Sequence, residues 1–277
     1  MSPSYCAEQV RLHDRDRYLT ALFAPDSRRD ALFALYAFNL EISRVREAIS
    51  ERLIGEMRLQ WWRDAIDAIY GGTKPPAHPV AESLATAIGR HKLDRVLFNR
   101  LIDARGYDLD DEPPADLPAL LGYARDTSAS VVQLALGVLE VSDDDALAAA
   151  DDVGIAYALA GLLRAVPFHA SQKRLYLPRT LYEAAGLDMG RLFEQKPGPV
   201  LPEIVQPIAA KARAHLTQAR KRAVPRAALA GLLPAVVADA ALDRLERAGF
   251  DPFAPRVARG GVSLPLALAW CVWRGRF

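Results

Sequence analysis

Apolar residues recur at three- and four-residue spacing through most of this 277-residue chain, the period of an α-helix with one buried face. The clearest case is Ala156 to Pro178, where Leu159, Leu162, Leu163 and Val166 fall at i, i+3, i+4 and i+7. Pro167 interrupts that run. It lacks an N–H, and its ring would clash with the carbonyl of Leu163, so the spacing predicts a helix that kinks or ends there. Arg164 sits inside the run, and Lys173, Arg174 and Tyr176 follow its end.

The other segments read the same way. A short helix is expected from Tyr5 to Phe23, stopped by Ala24-Pro25. Asp26 or Ser27 should cap a second, long helix whose stripe of Leu32, Leu35, Tyr36, Phe38, Ile42, Val45 and Ile49 predicts burial on most of its circumference. Further helices are expected over Glu51–Tyr70, His78–Arg90, Asp94–Tyr107 and Leu117–Leu139. Ser142 with Asp145 forms a candidate capping box for the central helix. After Pro178 come short elements, a basic helix near Ile204–Ala223, helices across Arg226–Ala248 and a last one over Val262–Trp273. No period-2 run of β-branched residues competes. About ten helices and no strand predict an all-α fold, and the absence of a linker favours one domain over residues 1–277.

Charge and cysteine content narrow the function. Lys+Arg 35 against Asp+Glu 34 leaves a net charge of +1, so no overall field attracts nucleic acid. Cys6 and Cys271 lie at opposite ends with no C-x-x-C spacing, which excludes a disulfide framework and fits a reducing cytoplasm. No stretch reads as the roughly 20 apolar residues of a membrane span. The N-terminus reads as neither signal nor transit peptide.

Two motifs carry a resemblance. Arg164, Arg174, Tyr176, Leu177 and Pro178 match the second signature of the squalene/phytoene synthase family, and Ala34 to Phe38 match the first. Matches near Asp108 and Leu109, at Tyr123 and from Gly249 to Val257 extend the similarity over nearly the whole chain. The resemblance implies a helical bundle around a cavity in which acids on two helices hold Mg²⁺ against a prenyl diphosphate. In this chain Ala165, Phe168 and His169 stand at the acidic places of the second signature. Ser43, Arg44, Arg46 and Glu47 stand at those of the first, so only Glu47 keeps a carboxylate. Methyl, phenyl and imidazole groups cannot supply the hard oxygen ligands Mg²⁺ requires. Arg44 and Arg46 would pair with Glu47 or repel the ion. On a continuous helix Ser43 and Glu47 would share a face. Ser128, Ala129, Val131 and Val132 replace the family's small cavity-facing residues, which would narrow the pocket.

No metal or cofactor is expected. Arg164, Lys173, Arg174, Tyr176 and His169 remain as a candidate anion site, since guanidinium groups bind phosphate oxygens without a metal. The alternative for Arg164 is a buried ion pair with Glu47 or Asp108. His169 reads either as an acid–base group or as a hydrogen-bonded structural residue. Of the adjacent Trp61 and Trp62, one should be core and the other exposed. Lys211, Arg213, Arg220, Lys221, Arg222 and Arg226 form either a solvated face or a contact for anionic lipid or an acidic partner. The phrases AFNLE, MRLQWW, LRAVPFH and SLPLALAWCVWR resemble a non-catalytic branch of the family, the mitochondrial respiratory complex I assembly factor and its bacterial relatives. That branch implies complex I subunits or assembly intermediates as partners, with a prenyl or lipid ligand and peripheral contact at the inner face of the cytoplasmic membrane as further expectations. The alternatives are a divergent prenyl transferase and a prenyl-lipid binding protein.

Overall fold

A computed structural model describes residues 4–48, 51–110, 112–258 and 264–277. Every regular element among them is helical. The helices are α1 (Tyr5–His13), α2 (Arg15–Ala21), α3 (Asp26–Ser43), α4 (Arg52–Tyr70), α5 (Pro79–His91), α6 (Arg95–Gly106), α7 (Leu117–Ala124), α8 (Ser130–Val138) and α9 (Asp144–Arg164). They continue with α10 (Val166–Ser171), α11 (Arg179–Ala184), α12 (Met189–Phe193), α13 (Leu201–Ala219), α14 (Leu229–Leu232), α15 (Pro234–Glu246), α16 (Pro255–Ala258) and α17 (Leu264–Arg274).

Helix α9 forms the axis of the bundle and packs against α8, α13 and α15. Its length and hydropathy would suffice to cross a membrane, contrary to the sequence expectation, but 56% of its most apolar window is buried inside the fold. Ala146, Ala149, Ala150 and Ala156 are small buried residues of this helix, which lets neighbouring backbones approach. The closest approach is at Gly154, where an added Cβ would lie 2.2 Å from the Ala129 Cα. Ala129 closes a π-helical turn, Arg125–Ala129, set between α7 and α8. The expected single helix Leu117–Leu139 is therefore one run with a widened turn against α9. Ser128, Ala129, Val131 and Val132 are all buried there. Between α3, α4 and α6 the interior is filled by Phe38, whose ring meets Trp62 at 5.2 Å and Phe98 at 5.5 Å, both edge to face. Trp62 is buried, while Trp61 is 37% exposed.

Several boundaries differ from the sequence reading for local reasons. The N-terminal helix divides at Asp14, whose side chain accepts from the Arg17 N–H at 3.0 Å and starts a new helix. Pro25 occupies the N-cap of α3, and neither Asp26 nor Ser27 caps it. Helix α9 is capped by Asp143 through the Ala146 N–H at 2.9 Å, and the proposed Ser142/Asp145 box does not form. Helix α3 stops at Ser43, and after Arg44 and Val45 the chain makes a 3-10 turn, Arg46–Ala48. The i, i+4 relation between Ser43 and Glu47 is lost with the helix. Ile49, and residues 262 and 263 of the expected last helix, lie outside the described residues.

The basic helix α13 is stitched into the fold. Arg213 pairs with Asp239 at 2.8 Å and Glu246 at 2.9 Å, and also with Asp243. Arg220 pairs with Asp239 and donates to the Phe277 carbonyl at 2.7 Å, and Arg222 reaches Asp145 and Asp152 at 3.6 Å. These contacts engage Arg213, Arg220 and Arg222 with acids of α15 and α9, while Lys211, Lys221 and Arg226 of the same run are exposed. Cys6 and Cys271 are free thiols.

Candidate functional site

The site forms where the ends of α3, α6 and α9 meet. The break predicted at Pro167 falls at Ala165, with φ −89° and ψ 0°, and α10 starts again with Pro167 in its first turn. Six residues later α10 ends in a left-handed turn. Lys173 takes φ +55°, and the Lys173 and Arg174 N–H groups return to the Ala170 and His169 carbonyls, both at 2.9 Å. This turn points Lys173 into solvent, so it terminates the helix and leaves the candidate anion site. Arg174 and Tyr176 are carried inward.

Their destination is Asp108, in the middle of the 3-10 turn Tyr107–Leu109 after α6 and only 5% exposed. Its Oδ1 accepts from the Tyr123 hydroxyl at 2.7 Å and the Tyr176 hydroxyl at 2.8 Å, and its Oδ2 from Arg105 Nη1 at 3.0 Å. Arg105 also donates to the Tyr123 oxygen at 2.9 Å, and Arg174 donates to the Asp108 carbonyl. A buried carboxylate holding three donors is a stable arrangement, since both of its oxygens are satisfied. Burial, with the Asp108 charge beside it, pushes the Tyr176 hydroxyl far above the ordinary tyrosine value.

Around this cluster opens a cavity of about 370 Å³, also lined by Ser43, Arg46, Glu47, Phe168 and His169. The His169 ring lies 4.7 Å from that of Tyr176. Burial, then the nearby Arg174 charge, lower the imidazole from 6.5 to about 4, so it is neutral at physiological pH. Its buried Nδ1 meets no protein partner among the described residues. Phe168 is 50% exposed at the rim. A wider groove of about 680 Å³, lined by Pro113, Pro114, Ala119 and Gly122, shares Tyr123 and Tyr176 with the cavity.

Arg164 is not part of this cavity. It pairs with Asp16 of α2 at 3.2 Å, not with Glu47 or Asp108. Beside it, buried Arg17 is held by Asp14 at 2.7 Å and lies over the rings of Tyr157 and Tyr36, at 4.8 and 5.9 Å. Sequence reasoning missed Arg105, Asp14, Asp16 and Arg17. The i, i+3 spacings Arg105/Asp108 and Asp14/Arg17 were the available signals.

Mg²⁺ with a diphosphate would need free carboxylate oxygens here, and the residues present do not fit it. Asp108 spends both oxygens on its donors. Glu47 is half exposed and faces Arg44 at 3.8 Å, and the Ser43 hydroxyl donates to the Leu40 carbonyl at 3.1 Å. Among the described residues no group of three or more His, Cys, Asp or Glu is placed to hold a metal ion.

Comparisons with known proteins agree with this architecture. The chain is 34% identical over 275 residues to NADH dehydrogenase (ubiquinone) complex I, assembly factor 6 of Bos taurus, covering 99% of this chain and 82% of that protein. It is 28% identical over 202 residues to presqualene diphosphate synthase of Sinorhizobium fredii, covering 73% and 71% of the two chains. A dehydrosqualene synthase crystal structure superposes with a TM-score of 0.83 at 17% identity, over 98% of this chain and 94% of that one, which shows a shared fold. The squalene/phytoene synthase model matches residues 10–266, and the chain belongs to that family.

Proposed function

We propose that this protein acts in assembly of respiratory complex I and is a non-catalytic member of its family. The observation that carries the reading is the closure of the site on itself, since Asp108 holds Arg105, Tyr123 and Tyr176 where a metal–diphosphate site would need open carboxylates. Ionising an allylic diphosphate requires the departing pyrophosphate charge to be neutralised, and losing one comparable stabiliser typically costs about 10²–10³ in rate. The similarity to assembly factor 6 supplies the process. A filled interior at Phe38, Trp62 and Phe98, beside an exposed stripe of Leu53, Ile54, Met57 and Trp61 on α4, fits a protein that meets a client at its surface. On this reading the chain works at the inner face of the cytoplasmic membrane, and the 680 Å³ groove is the place for a prenyl or lipid ligand.

Deletion of the gene tests the proposal. NADH:quinone oxidoreductase activity should fall while squalene, hopanoid and carotenoid pools stay unchanged. Normal complex I with altered isoprenoids would sink the proposal and promote a prenyl transferase, the reading that similarity to presqualene diphosphate synthase favours.

A further inference from the structure

Helix α17 is apolar on all sides yet only one side is covered. Leu264, Ala267, Leu268 and Cys271 pack against Leu233 and Val236, with Leu19 and Phe23 from the N-terminal region. The opposite face carries Leu266, Trp270 and Trp273, at i, i+4 and i+7, exposed by 75%, 53% and 72%. The two indoles stack at 5.0 Å, and the Arg274 guanidinium lies 4.8 Å above Trp270. Arg276 follows, also exposed. From Pro252 to Phe277 the sequence contains arginines and no Asp or Glu. An all-apolar helix is ordinarily buried or in contact with lipid, and eleven residues are too few to span a bilayer.

We propose that this face of α17 docks onto an anionic lipid surface, with Trp270 and Trp273 at the level of the headgroups and Arg274 and Arg276 on lipid phosphates. Tryptophan, apolar at one end and hydrogen-bonding at the other, concentrates at such interfaces. Charge of one sign, placed beside the apolar face, complements acidic headgroups and would repel a basic one. The inference deepens the membrane placement proposed above and rests it on α17, apart from the basic run in which Arg213 and Arg220 pair with internal acids.

Sedimentation of the purified full-length chain with vesicles tests it. Binding should be weak to phosphatidylcholine alone, rise when phosphatidylglycerol is included, fall with salt, and resist competition by inorganic phosphate. W270A/W273A should weaken it at least about tenfold, and R274Q and R276Q about fivefold each. Both sets should melt with the parent, because these side chains point away from the core. No sedimentation with either vesicle, or full binding by W270A/W273A, overturns the inference. So does a dimer in light scattering that these changes dissociate without vesicle binding, which would make the face an interface between copies. Vesicle binding is read without complex I, so the docking face and the assembly role can fail separately.

Discussion

Replacing Asp108 by alanine removes the acceptor on which the site is built. Arg105, 13% exposed in its side chain, would lose its carboxylate 3.0 Å away, and breaking a buried pair from one side costs about 3–5 kcal/mol. The Tyr123 and Tyr176 hydroxyls lose a common partner as well, at about 1 kcal/mol each. Tyr123 keeps its contact with Arg105, so the sum should fall near 4–6 kcal/mol. For a chain of this size about 2–4 °C of Tm accompanies each kcal/mol, which puts the loss at roughly 10–20 °C. Asparagine, which keeps one acceptor oxygen, should cost about half as much, and Tyr176→Phe only about 1 kcal/mol. Thermal melts followed by far-UV circular dichroism measure all three. Asp108→Ala melting within about 2 °C of the parent would refute the claim that this carboxylate organises Arg105, Tyr123 and Tyr176.

Gly154→Ala places a methyl against the Ala129 backbone, and should destabilise by about 3 kcal/mol or more; a melt unchanged from the parent would mean that α9 and the π turn can separate freely. Arg164→Ala should cost about 1 kcal/mol or less, since the Arg164–Asp16 pair is 38% and 21% exposed, and a drop above 10 °C would return it to the structural core. His169, held near 4 against an ordinary 6.5, binds fewer protons folded than unfolded. Its contribution is complete above pH 6.5 and is lost as pH falls toward 4, by up to about 3 kcal/mol. Urea titrations of His169→Phe across that window should show a flatter pH dependence than the parent, and identical slopes would exclude the buried neutral imidazole.

The helical architecture was legible because a 3.6-residue apolar period needs only local spacing. The break after Arg164 was legible too, because Pro167 has no N–H to give Leu163. Boundaries set by competition were not. Asp143, not Ser142, caps α9, since adjacent residues of similar capping strength differ only by how the incoming chain is aimed. In the site, Tyr176 and Arg174 could be named from their motif, and Asp108 and Tyr123 were marked by similar phrases. Their meeting around one carboxylate joins residues up to 68 positions apart, and no periodicity encodes that. Arg164 went to Asp16, 148 residues away, for the same reason. Lys173 was misplaced by backbone geometry, as a left-handed residue at a helix end sends its side chain outward.

The most direct measurement is pyrophosphate release by the purified protein from farnesyl or geranylgeranyl diphosphate, with Mg²⁺ titrated from absence to excess. With Asp108 engaged by Arg105, Tyr123 and Tyr176 and Glu47 facing Arg44, release should stay at the background rate at every Mg²⁺ concentration. Metal-dependent turnover above that background would contradict a closed, non-catalytic site.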